Sequence, residues 1–507
     1  MKHYFVILPV AAATLCGCVN VDEEVAQTPS VYWKAPEDAK PAEFYSPEQI
    51  KTDKIESEKD GASAKPSNAS AKPAADAKAA EKAKANLSAS EKMLAGAKLN
   101  LDELTDIALE NNPSTRIYWF QAKRYAAQLG RAQSSYYPQI SVGAQVYRDK
   151  TKSGYVGIPV GAYYETAYGP SAEINWLLYD FGKREAQVQS AREAMQAANF
   201  EFNQTLQDVV LNVNLAYYKF CAAAGNVKAA KLSLEDSKTS YESADRKLKD
   251  GVGNKQDMLN ALASLRNAEF EVENKLSNVE TARAELANTL GVSASDIADI
   301  SDEVAVAKNS VVSEKIDSLI AKAMRSRQSL LAGYAKLRQT QSDVKAAKRG
   351  FLPQLGANAS AMYGWYTDSN RDDQYQYKFG LSASWSIFEG FARKYALIDA
   401  KAAERAQAQQ LKAEQIQIMS NIWAYYHVYR SSVKQLASAE ATVAASEEAY
   451  LATRTGFASG VNTLTDLLNA QSRLATARQT KVNATTNMAA AVARLSHAVG
   501  ALSASEK

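Results

Sequence analysis

The sequence predicts a mainly α fold with a transmembrane β-barrel, in which tandem-duplicated long coiled-coil helices carry four strands per protomer. Three observations predict it. The chain repeats itself at a nearly fixed offset. Heptad spacing of apolar residues runs far beyond an ordinary helix. Between the helical tracts the apolar period drops to two, with aromatic residues at both ends of the alternating run.

The repeat begins at Leu101. Leu101-Asp102-Glu103-Leu104 matches Ile316-Asp317-Ser318-Leu319, and Tyr136-Tyr137-Pro138-Gln139-Ile140 matches Phe351-Leu352-Pro353-Gln354-Leu355, both 215 residues on. From Trp176 and Trp385 onward the offset is 209: Gly251-Val252 corresponds to Gly460-Val461, Asp257 to Asp466 and Gly291 to Gly500. Seven of the fifteen positions from 251 to 265 are identical in that frame, the mark of a tandem duplication with one loop longer in the first copy.

Taken in order, residues 1–18 read as a lipoprotein signal peptide: Lys2 and His3, an apolar run from Tyr4 to Leu15 too short to span a bilayer, then Leu15-Cys16-Gly17-Cys18. That ending resembles the lipobox of bacterial lipoproteins, which implies lipidation of Cys18, palmitate included. Val19 in place of Asp implies, by the same resemblance, sorting to the outer membrane. Only Cys221 is then left in the mature region, a packed thiol without a disulfide partner. Residues 19–100, with Pro29, Pro36, Pro41 and Pro47 ahead of a Lys/Ala/Ser-rich tract, read as a low-complexity linker or wrap.

The first repeat, 101–300, opens with one helical tract to about residue 135, followed by a hairpin at 139–178, a long helix at 183–249 and a return helix at 255–290. Residues 301–315 connect it to the second repeat, 316–500, with a hairpin at 354–388, a long helix at 391–456 and a return helix at 463–499; residues 501–507 are a tail. Leu206, Val209, Val213, Ala216, Phe220, Ala223 and Val227 follow a 3,4 spacing inside the first long helix. Its length from Lys183 to Lys249 corresponds to about 100 Å, too long for a compact domain. Gly251-Val252-Gly253-Asn254 and the turn around Gly460 reverse the chain into the return helices.

In the second hairpin Tyr375, Tyr377, Phe379, Leu381, Ala383, Trp385 and Ile387 share one face against Gln376, Lys378, Gly380, Ser382 and Ser384. From Tyr375 to Trp385 is about 33 Å of strand, or about 25 Å of height at the tilt usual in membrane barrels. Tyr375 and Tyr377 thus fall at one aromatic girdle, Trp176 and Trp385 at the other. Four strands cannot close, and an open edge is not tolerated in lipid, so several copies must pool strands; two copies fill their interior, whereas three leave a lumen.

The formal net charge is only +3 over 507 residues, with Lys and Arg interspersed among Asp and Glu, which argues against nucleic acid. His427 and His497 stand on separate helices without metal-ligand spacing, and no phosphate-binding Gly loop precedes a Lys-Ser/Thr pair. No enzyme and no cofactor is expected.

The tandem repeat, the Tyr-Tyr-Pro-Gln and Phe-Leu-Pro-Gln strand openings, Tyr179-Asp180-Phe181-Gly182-Lys183-Arg184 and the turn from Gly460 to Ala470 resemble the TolC-like outer-membrane efflux proteins. The resemblance implies a homotrimer with a twelve-stranded barrel among outer-membrane lipid and a helical tunnel across the periplasm of a Gram-negative bacterium. It implies a passive exit duct for drugs, small molecules or polypeptides, working with a periplasmic adaptor protein and an inner-membrane transporter, either a proton-driven pump or an ATP-binding cassette exporter. The turns holding Gly251, Gly253 and Gly460 would meet the adaptor. Asp257, Asp466, Phe457 and Asn462 are gate candidates, and two readings of the acids stand: rings of charge in the lumen, or favourable charges at helix N-termini. The competing reading of the whole chain is a lipid-anchored periplasmic coiled-coil scaffold without a pore. Because Asp180-Phe181-Gly182 and Glu389-Gly390-Phe391 exchange Gly and Phe, the two strand-to-helix joints are expected to bend differently.

Overall fold

The computed structural model describes residues 25–34, 99–151, 163–295, 297, 300–302, 304, 315–367 and 372–502. The signal peptide with Cys18, most of 19–100, the hairpin apices at 152–162 and 368–371, most of the 301–315 connector and residues 503–507 lie outside them.

The elements run α1 (Leu101–Asn111), α2 (Pro113–Gln133), β1 (Gln139–Thr151), β2 (Tyr163–Tyr179), α3 (Lys183–Lys249), α4 (Lys255–Leu290), α5 (Ile316–Ser326), α6 (Gln328–Arg349), β3 (Gln354–Tyr366), β4 (Gln374–Ser384), α7 (Ala392–Ala458) and α8 (Leu464–Val499). Both α3 and α7 are 67 residues long, and both return helices, α4 and α8, are 36. The four strands form one antiparallel meander, β1-β2-β3-β4.

The chain divides into two compact units. The first holds the sheet with Trp119–Glu201 and Leu331–Glu414. Its helices pack through Ala122, Ala126, Leu129, Val188 and Met195, and Val25 of the N-terminal segment joins that cluster. Cross-helix pairs add polarity, with Ser190 donating to Asp343 at 2.6 Å and Arg338 meeting Glu193 at 2.7 Å. The second unit holds the remaining helical halves, the return helices and α1 and α5. There the heptad seam of α3 is buried at Leu206, Val209, Val213, Phe220 and Val227. By contrast α7 leaves Ile416, Trp423, Val428 and Leu451 exposed.

The opening helical tract of each repeat is two helices, not one. Asn112 is extended (ψ 126°), as the residue before Pro113 must be. The amide of Asn112 caps the end of α4 by donating to Thr289 O at 2.8 Å, and the Thr115 hydroxyl donates to Asn112 O at 2.8 Å. Gly291 (φ 75°) presses against this break, where a Cβ would stand 2.8 Å from Asn111 O. The second copy breaks at Arg327 (ψ 123°) without any proline; Arg327 donates to Ala498 O at 2.7 Å and lies under Gly500 (φ 75°). In both copies the glycine that ends the return helix lies against the break, and in the first copy a proline accompanies it.

Two further expectations change. Strand β4 ends at Ser384 and does not continue to Ile387, because β3 starts opposite it at Gln354 and Pro353 has no N–H to extend the ladder. Part of the supposed linker is packed: Asn203 brackets the Trp33 peptide, accepting from its N–H and donating to its C=O at 2.8 Å each, while the Trp119 indole donates to Ala26 O at 2.7 Å.

Candidate functional site

The sheet has one apolar and one polar face. Register puts Ile140, Ile174, Ala359 and Phe379 in one row and Trp176, Ala357 and Leu381 in the next, all on the same face. Val142, Phe379 and Leu381 are 80%, 81% and 83% exposed in the single chain, a display that water does not tolerate and lipid rewards. The opposite face carries Ser141, Ser171, Ser360 and Gly380. Aromatic rings gather at the loop end, where Tyr168 stacks on Trp365 at 5.5 Å, Tyr363 meets Trp365 at 5.0 Å and Tyr375 meets Tyr377 at 5.8 Å. At the other end Trp176 and Trp385 are exposed but donate their indole N–H groups to Tyr136 O and Phe351 O, 2.9 Å in both copies. β1 and β4 end the meander, so each offers an unpaired edge.

Beyond Trp176 and Trp385 each copy turns from strand to helix through a clamp that sequence reasoning missed. Arg184 donates to Leu177 O at 2.7 Å, Ser135 O at 2.9 Å and Leu178 O at 3.0 Å, and lies over the Tyr136 ring. Asp180 accepts from the Gly182 and Arg184 N–H groups and faces the Arg184 Nε at 3.5 Å. In the second copy Arg393 reaches Ser386 O and Gly350 O, pairs with Glu389 at 3.1 Å and lies over Phe351. The signal was present as an acid four residues before an Arg in both joints.

The two joints share one left-handed turn at equivalent positions, although β2 runs on to Tyr179 whereas β4 ends at Ser384. Phe181 (φ 55°) and Gly182 (φ 84°) occupy the left-handed region in the first, Gly390 (φ 59°) and Phe391 (φ 65°) in the second. The same two positions take the same turn because the joint requires both; glycine relieves one of them and phenylalanine bears the other, at about 1 kcal/mol.

At the far turns α3 ends in Gly251 (φ 76°), with Gly253 closed over it: a Cβ there would lie 2.9 Å from Leu248 N. Asn254 caps α4 by accepting from the Asp257 N–H at 2.7 Å. Gly460 (φ 80°) ends α7, and Thr463 and Asp466 form a reciprocal cap: the Thr463 hydroxyl donates to the carboxylate at 2.6 Å and accepts from the Asp466 N–H at 3.2 Å. Those donors hold the exposed Asp466 carboxyl below the ordinary carboxylate value, so it stays charged. Asn462 folds over Gly456 and donates to Thr453 O at 3.4 Å. Phe457, a gate candidate by sequence, is 6% exposed inside a core of Ala244, Ala261, Tyr450, Leu464 and Leu467; the Lys247 ammonium sits over its ring and donates to its carbonyl. There it packs among residues of α3, α4, α7 and α8. Val252 and Val461 stand at the turn apices, 79% and 80% exposed.

Among the described residues no group of three His, Cys, Asp or Glu side chains is arranged to hold a metal ion. A recess of about 950 Å³ is lined chiefly by amides and hydroxyls such as Asn212, Asn288, Asn483 and Asn487, with Lys219 and Glu285 neutralising each other at 2.5 Å.

The sequence profile described as "outer membrane efflux protein" matches residues 104–292 and 319–501. Protein CyaE of Bordetella pertussis is 26% identical over 322 residues, 61% of this chain and 64% of CyaE, so the match spans a little under two thirds of that relative. Outer membrane protein TolC of Vibrio cholerae is 24% identical over 62% of this chain and 73% of its own length. The solved outer-membrane channel OprN superposes with a TM-score of 0.70 at 20% identity, covering 79% of this chain and 89% of that one, which establishes the common fold. With both repeats inside the profile, the chain belongs to the outer membrane efflux protein family, whose members are transport channels of the Gram-negative outer membrane.

Proposed function

We propose that three copies of this chain join edge strands β1 and β4 into a twelve-stranded barrel and act as a passive exit duct. The carrying observation is the sheet itself: an apolar face with aromatic ends, a polar face of small residues and two open edges, feeding two 67-residue helices. Four strands leave edges that lipid forbids, and twelve leave a lumen. The exposed Ile416, Trp423 and Val428 of α7 supply apolar surface for neighbouring copies in the tunnel wall.

Energy comes from a partner. The turns with Gly251, Gly253 and Gly460 present Val252 and Val461 to a periplasmic adaptor protein, which links the duct to a proton-driven pump or an ATP-binding cassette exporter in the inner membrane. Capping and a luminal role are compatible for Asp466, since a capping carboxylate that stays ionised still contributes to a ring of three. Lipid on Cys18 supplements the barrel as anchor. Val25, seven positions after Cys18, packs beside Leu129 and Val188.

Planar-bilayer recording of detergent-purified protein tests the reading. Discrete conductance steps, with an oligomer band that heat dissociates, are expected. A Cys18→Ser protein that is monomeric and soluble without detergent would sink the duct and leave the coiled-coil scaffold. Asp466→Ala is expected to lower the cation preference of the conductance; unchanged ion selectivity would return Asp466 to capping alone.

A further inference from the structure

The polar face of the sheet carries its charges at Asp149, Glu165, Glu173 and Lys378. Asp149 stands opposite Glu165 near the loop end. In the middle, one ladder row runs Ser141, Glu173, Ser360, Lys378 across all four strands. Both charged members of that row are exposed. Gly143, Ser171, Ser360 and Gly380 beside them on this face are short, which leaves Glu173 and Lys378 as the charged side chains of this part of the sheet. The Asn175 amide donates to Glu173 Oε1 at 2.8 Å and keeps the carboxylate on the polar side.

We infer that Glu173 and Lys378 form, in the closed barrel, two opposed rings of charge that cancel each other's ion selectivity and let the membrane stretch of the duct pass ions of either sign. The inference rests on the trimeric duct proposed above. Two strand spacings place the residues about 10 Å apart along the row. With strands tilted about 40° the row is inclined, and the rings stagger by about 6 Å along the barrel axis. Both separations fall within about one Debye length at 0.1 M salt, so the two fields overlap in the lumen instead of acting as separate filters. Three carboxylates alone would favour cations and three ammonium groups alone would favour anions; charged rings of this kind set selectivity in other pores. Asp149 and Glu165, nearer the mouth, leave the balance in the middle of the sheet to this pair.

The test is the reversal potential of bilayer-reconstituted full-length protein under a potassium chloride gradient. Glu173→Gln is expected to lower the cation-to-anion permeability ratio about two- to fivefold, and Lys378→Gln to raise it by a similar factor, from three charges about 10 Å from the axis in screened water. The double variant returns the ratio to the wild-type value, because the rings cancel. Heat-dissociable oligomer bands establish assembly of each variant. If Glu173→Gln does not assemble, Lys378→Gln decides alone, since its shift toward cations is required. Conducting channels whose single variants leave the potential unmoved, or move it in the same direction, overturn the rings and leave the duct standing. Wild-type protein that does not conduct overturns the duct and the rings with it.

Discussion

Replacing Arg184 by alanine should cost far more than replacing its counterpart Arg393, although the two occupy equivalent joints. The Arg184 and Asp180 side chains are 9% and 5% exposed, whereas those of Arg393 and Glu389 are 18% and 45% exposed. Arg184→Ala strands a buried carboxylate and three carbonyls that had a charged donor, at about 3–5 kcal/mol. Arg393→Ala releases an acid into water and should cost about 1 kcal/mol. Lysine at 184 recovers only part of the loss, because one ammonium cannot match the guanidinium fork across Leu177, Ser135 and Leu178. Urea unfolding in detergent, followed by tryptophan fluorescence, measures both. A double cycle with Asp180→Asn should give a coupling of about 1–3 kcal/mol. Equal costs at the two joints, or no coupling between Asp180 and Arg184, would refute the reasoning that burial decides the value of the clamp.

Other expectations follow from the same geometry. Gly182→Ala should destabilise more than Gly390→Ala: both residues have positive φ, but a Cβ at 182 meets Arg349 Nη1 at 2.6 Å whereas nothing lies within 4 Å at 390; paired unfolding curves read the difference. Gly225→Ala brings a Cβ to 2.7 Å from the stiff Val482 side chain, so its loss of stability should be relieved by Val482→Ala. Burial pushes the Cys221 thiol up to about 11, so it should stay unlabelled by maleimide at pH 8 in the folded protein and react in denaturant, as peptide mass spectrometry of the labelled site would report. Tyr450 is raised from 10.0 to about 12, by burial first and by Asp236 second. Its folded form holds the proton more tightly, so its contribution is present below pH 10 and lost as pH rises toward about 12; Tyr450→Phe should flatten alkaline unfolding in that window.

Which parts of this were legible in sequence follows from where the signal is periodic. The seam through Leu206, Val213 and Phe220 and the alternation from Tyr375 to Leu381 are long regular patterns, and they place the helices and the sheet. The helix break at Arg327 was invisible because no local proline or glycine marks it: its glycine neighbour in the fold, Gly500, is 173 residues away in sequence. The ordering of Val25 and Trp33 depended on partners at Met195 and Asn203 that composition does not reveal. Phe457, which lies near a turn, is buried as the heptad that it also belongs to requires. The left-handed turn common to the two joints was hidden by the Gly/Phe exchange, since residue type suggested where the backbone is free and the joint determined where it must turn. In the second row of the sheet, Glu173 and Lys378 belong to one ladder only once the register of β2, β3 and β4 is known.

The most direct test of the central claim is the stoichiometry of the detergent-extracted assembly by native mass spectrometry. The open edges of β1 and β4 and the four strands per chain predict a mass of three protomers, about 165 kDa before processing and acylation are taken into account. A monomer, or a dimer whose eight strands would fill their own interior, would contradict a duct made from this chain.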